Sequence, residues 1–279
     1  MRIVRSISEM QEWSSVEHLA GNSIGFVPTM GALHHGHEEL FSQSVRENTR
    51  TVVSIFVNSL QFNNVSDLEA YPRQLEQDQV IAQQQKVDVL FVPSHDEMYP
   101  NGFASAISAG PIAQHMEGLH RPGHFDGVAT VVVKLLNAVM PDVAYFGLKD
   151  FQQLAVIRSV VRDLNIKCDV RGVPTVRNEM GLALSSRNSR LSTDQLEQAS
   201  IVYSLLIEMA NQAQTRETQT ITLVDHFING MKSISAATVE YLEVVDSTTL
   251  LPVTTAHEGT TICVAVWFGD VRLIDNISI

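Results

Sequence analysis

Cysteine is nearly absent, with only Cys168 and Cys263 in 279 residues. They lie far apart among strand-like neighbours, offer no metal-ligand spacing, and suit reduced core thiols of a cytosolic protein. Long apolar runs are missing as well. The N-terminal "MRIVRSISEMQEW" lacks the uninterrupted apolar segment of a secretion signal. The most apolar later stretch, "VATVVVKLLNAVM", is broken by Lys134 and is too short to span a bilayer. Cytoplasmic location and no membrane partner are therefore expected. Positive charge is scarce: 19 Lys and Arg stand against 31 Asp and Glu, for a net charge of -12. That argues against broad nucleic-acid binding, which needs a basic face to displace counterions. A small anion is a different matter, because a few cations, imidazoles and backbone N–H groups can converge on one. Tandem repeats and low-complexity tails are also missing.

What the chain does have is 44% hydrophobic residues, enough to bury a sizeable core in one large or two modest domains. Strand and helix signals alternate through its first two-thirds. "SIGFV", "TVVSIFV", "VDVLFVP", "DVAYFG" and "KCDVRGVPTV" read as five strands. Between them, the segment from about His37 to Thr49, "QLEQDQVIAQQQ", "DGVATVVVKLLNAVM" and "KDFQQLAVIRSVVRDL" read as helices. Short apolar strands joined by crossover helices predict an α/β fold with a parallel sheet covered on both faces. In such folds ligands bind beyond the C-terminal strand ends. The last hundred or so residues change character. "TDQLEQASIVYSLLIEMANQAQ" and "ITLVDHFINGM" precede strands "TVEYLEVVD", "TTICVAVWFG" and "DVRLIDN", the order of a separate, smaller α+β domain. The expected division is 1–176 and 177–279, with the boundary within 175–190.

The stretch "PTMGALHHGHEEL" places His34, His35 and His37 at the mouth of the first predicted strand–loop–helix unit. Gly31 and Gly36 permit tight turning and close approach of backbone to a ligand. The helix that follows offers unpaired N–H groups and its positive dipole end. His34 and His37, three apart, can point to one side. A zinc pair would lack a third ligand at a convincing spacing. On these residues alone, the cluster reads equally as a surface turn or as an anion site.

The longer pattern separates the two. His34, Gly36 and His37 form an H-x-G-H sequence that resembles the signature of the nucleotidyltransferase superfamily containing class I aminoacyl-tRNA synthetases. "FVPTMGALHHGH", "SIFVNSLQF", "YPRQLEQD", "RPGHFDGVATVV", "YFGLKDFQQL", "LALSSRN" and "VRLIDN" together resemble the pantoate–β-alanine ligase family, in the family's order, from residue 26 to 276. The resemblance implies a Rossmann-like nucleotide domain, a smaller C-terminal lid and a homodimer. It also implies the reaction: pantoate attacks ATP to give pantoyl adenylate and pyrophosphate, then β-alanine displaces AMP. Pantothenate, the precursor of coenzyme A, results.

Residue by residue, the resemblance carries Met30, Gly31, Ala32, Leu33, His34, His35, Gly36 and His37 over as an ATP-binding loop, with His37 and His34 catalytic. His35 fills the variable position and is expected to face solvent. Gln61 carries over as a ligand of pantoate and β-alanine, and Gln153 as a pantoate contact; an amide can both donate and accept. Gly147, Leu148, Lys149 and Asp150 match a second nucleotide segment. Lys149 is expected to offset phosphate charge and to be catalytic. Val176 matches an adenine-side backbone contact. Leu184, Ser185, Ser186 and Arg187 match a phosphate loop, where hydroxyls and a guanidinium fork suit an anion. Asp78 matches a Mg²⁺ ligand, the ion entering with ATP. His120, Arg121 and His124 sit in a loop readable either as a substrate loop or as a dimer contact. The chain departs from the family pattern at Ser59, Leu148 and Met180. The first leaves its loop less rigid, the second offers only backbone groups, and the third removes an acidic partner before Gly181.

Two other functions compete. A transferase that passes AMP or CMP to a phosphate acceptor fits poorly with neutral Gln61 and Gln153. A non-catalytic nucleotide module fits poorly with the retention of His34, His37, Lys149 and Arg187.

Overall fold

The computed structural model describes residues 1–215, 217–232, 234 and 236–279. Six strands form the larger sheet: β1 (Arg2–Val4), β2 (Ile24–Thr29), β3 (Arg50–Ile55), β4 (Val89–Phe91), β5 (Val143–Gly147) and β6 (Asp169–Val173). Their order is β1-β4-β3-β2-β5-β6, and every pairing is parallel. The five expected strands are present. β1 is an addition, three residues long and too short to carry a periodic signal. The helix Ile7–Leu19 that follows it buries only Met10 and Ser14, so no apolar stripe announces it in the sequence.

Continuous burial explains the near-unbroken apolar reading of these strands. Phe26 and Val27 of β2, Val52 and Val53 of β3, and Leu90 and Phe91 of β4 are all shut off from solvent. On one face, the largely buried helix His124–Val139 packs with Phe26, Val52 and Phe91. On the other, Leu40 and Phe41 of the helix His35–Glu47 join Val27, Val53 and Tyr145. Both faces are covered, as a parallel sheet requires.

The strand order fixes where a ligand can sit. From β2 the chain winds outward to β3 and β4, then crosses back to place β5 on the other side of β2. Between β2 and β5 the winding reverses, and loops leaving the two strand ends diverge to open a crevice. The segments leaving those ends are the His34–His37 loop and Gly147–Asp150.

The C-terminal part holds the helices Thr193–Thr215 and Thr220–Met231 against an antiparallel sheet of Ala237–Asp246, Thr260–Phe268 and Val271–Ser278. Thr260–Phe268 is the central strand. Leu206, Met209 and Phe227 from the helices meet Ile262, Val264 and Phe268 from the sheet in a core of their own. A smaller cluster of Met116, Val245, Leu250 and Cys263 joins this part to the first. Both cysteines are free, although Cys168 is only partly buried. Among the described residues, no helix is long and apolar enough to cross a membrane.

Candidate active site

A cavity of about 770 Å³ lies between the strand ends of the parallel sheet and the C-terminal strands. That size suits a nucleotide with a small acid. Met30, His34, Gly36, His37, Gln61, Gly147, Lys149, Asp150, Gln153, Val176 and Leu184 to Arg187 all line it. The structure thus brings together most of the residues expected from sequence. His35 points away from it, with a 77% exposed side chain near Glu38.

The loop after β2 is built around an unusual cap. His34 is the N-cap of the helix, and its Nδ1 accepts the Gly36 N–H at 3.1 Å. In return, Nδ1 of His37 accepts the His34 N–H at 3.3 Å. Two histidines therefore do the work that Ser and Glu share in a capping box. Because an amide N–H can only donate, both Nδ1 atoms are acceptors, and the proton of each neutral ring is on Nε2. The rings lie 4.2 Å apart, centroid to centroid. Burial, then His34, then Lys149 push the His37 pKa down to about 3. Burial and Lys149 likewise lower that of His34. The pair is a set of neutral Nε2–H donors.

Asp78 supports this loop from behind. It is 1% exposed, its Oδ2 accepts Ala32 N–H at 3.1 Å, and its Oδ1 accepts Leu33 N–H at 2.8 Å. Gly31 (φ 80°) and Ala32 (φ 52°) both take left-handed backbone, a strained choice for alanine. A Cβ on Gly31 would lie 2.9 Å from the Asp78 carboxylate. Gly31, Ala32 and Leu33 thus form the back of the loop, with Ala32 and Leu33 bonded to Asp78.

Gln61 is 8% exposed, and its amide is oriented by Asn58, a partner that no sequence motif singled out. Tyr99 donates to Asn58 Oδ1 at 2.6 Å, so Asn58 Nδ2 is left to donate to Gln61 Oε1 at 2.9 Å. The Gln61 Nε2 contacts Met30 Sδ at 3.3 Å, a weak acceptor. Gln61 therefore presents an amide nitrogen to the cavity. Its backbone depends on Gly127, where a Cβ would stand 2.4 Å from the Leu60 carbonyl oxygen. His124 Nδ1 then donates to the Gln61 carbonyl at 2.8 Å, and Arg121 contacts His124 Nε2 at 3.2 Å. Burial and Arg121 push the His124 pKa down to about 4. His120, Arg121 and His124 all line the cavity, so within one chain their loop belongs to its wall. Asn58 was visible in "SIFVNSLQF", but only the long-range bond to Tyr99 shows what it does.

Lys149 stands beside the histidines, with Asp150 Oδ1 3.7 Å from its Nζ. Leu148 turns the other way: its side chain packs over Gly172 and against the main core. In the loop after β6, the Val176 carbonyl accepts from Leu184 N–H at 2.9 Å. Ser185 caps a short 3-10 turn by accepting the Arg187 N–H at 3.2 Å, which leaves its own O–H proton unassigned. Arg187 reaches across to Asp67 at 3.3 Å. At the Met180 departure, Asn178 Oδ1 accepts the N–H groups of Met180 (3.1 Å) and Leu182 (2.9 Å). The turn is therefore held without an acidic residue at 180. Ser59 sits in a 3-10 turn capped by Asn58, with its Oγ 3.2 Å from His95 Nε2.

Comparison with known proteins bears on the same segments. Residues 2–278 match the family model for pantoate–β-alanine ligase. The pantothenate synthetase of Aquifex aeolicus is 44% identical over 277 residues, covering 98% of this chain and 97% of that protein. The crystal structure of the Thermus thermophilus pantothenate synthetase superposes with a TM-score of 0.91 at 43% identity, covering 100% of this chain and 99% of that one. The Francisella tularensis pantoate–β-alanine ligase, determined in complex with β-γ ATP and β-alanine, gives 0.80 at 37% identity, covering 100% and 97%. With the family model matching nearly end to end and the fold shared throughout, this chain belongs to the pantoate–β-alanine ligases, enzymes that make pantothenate from pantoate and β-alanine.

Proposed function

We propose that the cavity carries out the ligation in two steps, through pantoyl adenylate. The observation that carries this reading is the pair of Nε2–H donors of His34 and His37 beside Lys149, on the switch-point side of the sheet. A pantoate carboxylate is ionised and needs no base to attack the α-phosphorus of ATP. The barrier comes from charge gathering on the phosphoryl oxygens and on departing pyrophosphate. Fixed neutral donors and an ammonium aimed at that charge lower it without reorganising first. His34 and His37 suit the first task, and Lys149 the second. Ser185, Ser186 and Arg187 would engage the phosphates from the opposite loop, and the backbone around Val176 and Gly147–Asp150 the nucleoside.

Gln61 would hold pantoate through its free amide hydrogen and later receive β-alanine, with Gln153 as a second pantoate contact. The amine then attacks the acyl carbon, its C–N bond forms as the acyl–phosphate bond breaks, AMP leaves, and the ammonium proton passes to solvent. ATP is carried over from the Francisella complex. Mg²⁺ would accompany it. Asp78 is poorly suited to hold that ion, since it does not line the cavity and both its oxygens accept loop N–H groups. Asp150, exposed at the cavity edge, is the better carboxylate for an ion that keeps most of its ligands as water and phosphate. Residues 177–279 would act as the lid over residues 1–176, in a cytoplasmic homodimer.

The test is pantoate-dependent exchange of labelled pyrophosphate into ATP without β-alanine. Exchange is expected; an active, ATP-binding preparation that gives none overturns the two-step reading. Gln61→Ala sharpens it. We expect pantoate KM to rise at least about tenfold, as for loss of a bond to a charged group, with ATP affinity by calorimetry nearly unchanged. Loss of ATP affinity with pantoate use intact would remove Gln61 from the acid site.

A further inference from the structure

The last strand carries the sequence "VRLIDN", which no step above uses. Its final two residues, Asp275 and Asn276, line the cavity. The Asn276 side chain donates to two consecutive carbonyls, Leu148 and Lys149, each at 2.9 Å. Carbonyl oxygens only accept, so the nitrogen of this amide is identified by its partners. Both hydrogens of that nitrogen are spent on the backbone of the turn that displays Lys149. Asp275 makes the complementary contact: Arg177 grips it at 2.6 Å and 2.8 Å in a fork. Asp275 is 7% exposed, and the Arg177 guanidinium also lies 3.4 Å from the centre of the Tyr203 ring. Arg177 follows Val176 and bonds the Gly181 carbonyl at 3.1 Å, so it anchors the loop leading to Ser185–Arg187.

We infer that Asp275 and Asn276 form a two-armed staple that sets the register between the two phosphate-facing loops, and that Asn276 is the positioning residue for Lys149. The inference rests on the phosphate role proposed for Lys149. The geometry makes the turn depend on the C-terminal sheet. Leu148 and Lys149 leave β5 in a single 3-10 turn of three residues, which fixes little by itself. Asn276 is separated from them by more than a hundred residues and belongs to a sheet with its own core. Register within that sheet is therefore transmitted to the turn by two hydrogen bonds.

A double-mutant cycle with half-reaction assays decides the matter. Asn276→Ala should slow pantoate-dependent pyrophosphate exchange by about tenfold to a hundredfold, the scale of a displaced catalytic group. Attack of β-alanine on supplied pantoyl adenylate releases no pyrophosphate and should slow by less than about threefold. Asn276→Asp is nearly the same size but sets an acceptor against two carbonyls. It should do at least as much harm, and it covers the case in which the alanine variant folds poorly. In a Lys149→Met background, Asn276→Ala should cost less than about threefold more, because the residue it positions is gone. The same cost in both backgrounds, equal losses in the two half-reactions, or an Asp variant with wild-type exchange would each overturn the inference while leaving Lys149 in place. If Lys149→Met alone leaves exchange unchanged, the phosphate role of Lys149 falls, and the inference falls with it.

Discussion

Asp78 and Asp67 are both carboxylates that hold a loop of the cavity, and they do so in opposite ways. Asp78 is buried, accepts two backbone N–H groups, and fixes the strained Gly31–Ala32 turn behind His34 and His37. Asp67 is about one-third exposed and, among the described residues, pairs only with the tips of two arginine side chains, Arg187 at 3.3 Å and Arg190 at 3.8 Å. One side of the cavity has its donors set before any nucleotide arrives. The other is tied by ion pairs in contact with water, and in the proposed reaction phosphate would replace their carboxylate. A fixed wall supplies transition-state stabilisation without reorganisation, and an adjustable wall lets a large substrate enter and leave.

The strongest way to break this contrast is Asp78→Ala. Two buried N–H groups would lose their acceptor at about 1–3 kcal/mol each, and the left-handed Ala32 would lose what holds it. We expect pyrophosphate exchange to fall by at least about a hundredfold. The unfolding free energy should fall by about 2–6 kcal/mol in urea titration. Raising Mg²⁺ should restore neither. Recovery at high Mg²⁺ would show that Asp78 is a metal ligand and that its loop bonds are incidental.

Much of this arrangement could be read in the sequence, and the limits follow from range. β2 and β3 are buried along nearly their whole length because both faces are covered, and their apolar, β-branched centres make them legible as strands. The histidine loop by itself reads equally as a surface turn or as an anion site, and only the family resemblance of the longer pattern separates the two. What one-dimensional reading missed depends on partners far along the chain. Leu33 and Asp78 are 45 positions apart, and Asn276 and Lys149 are 127 apart. A carboxylate on a helix looks the same in sequence whether it binds a metal or holds a loop. Met180 makes the converse point: the absence of an acid there looked costly, but Asn178, two residues earlier, already supplies the acceptor. The strand order, which creates the crevice between β2 and β5, leaves no trace in any single segment.

The fixed wall also carries an acid liability. Burial holds His37 near a pKa of about 3 and His124 near about 4, both below the unfolded value of 6.5. As pH falls below 6.5, the unfolded chain takes up protons that the folded chain refuses. Each group then removes about 1.4 kcal/mol of stability per pH unit, until its folded pKa is reached. His124→Gln keeps a donor for the Gln61 carbonyl but cannot titrate. Its unfolding free energy should therefore fall less steeply between pH 6.5 and 4 than that of the parent, by about 1.4 kcal/mol per pH unit. Parallel slopes in the two proteins would mean that His124 is not the neutral, buried donor described.

The smallest effect belongs to the adjustable wall, and its direction is the informative part. Asp67→Asn removes the charge that holds Arg187 but keeps the side chain's size. The Arg187 side chain is 37% exposed, so water already screens the pair, and exposed pairs contribute about 0–1 kcal/mol. Stability should change by no more than that. ATP binding should tighten, because Arg187 no longer has to leave a carboxylate before it meets a phosphate. The gain is bounded by the strength of the pair, so about fivefold in affinity is the most that can appear. It should shrink as salt is raised, since salt weakens the parent's ion pair as well. Calorimetric titration of both proteins with ATP at low and high ionic strength measures this directly. Weaker binding by the Asn variant would mean that Asp67 orients Arg187 for phosphate, as Asp78 orients its own loop, and the contrast between the two walls would disappear.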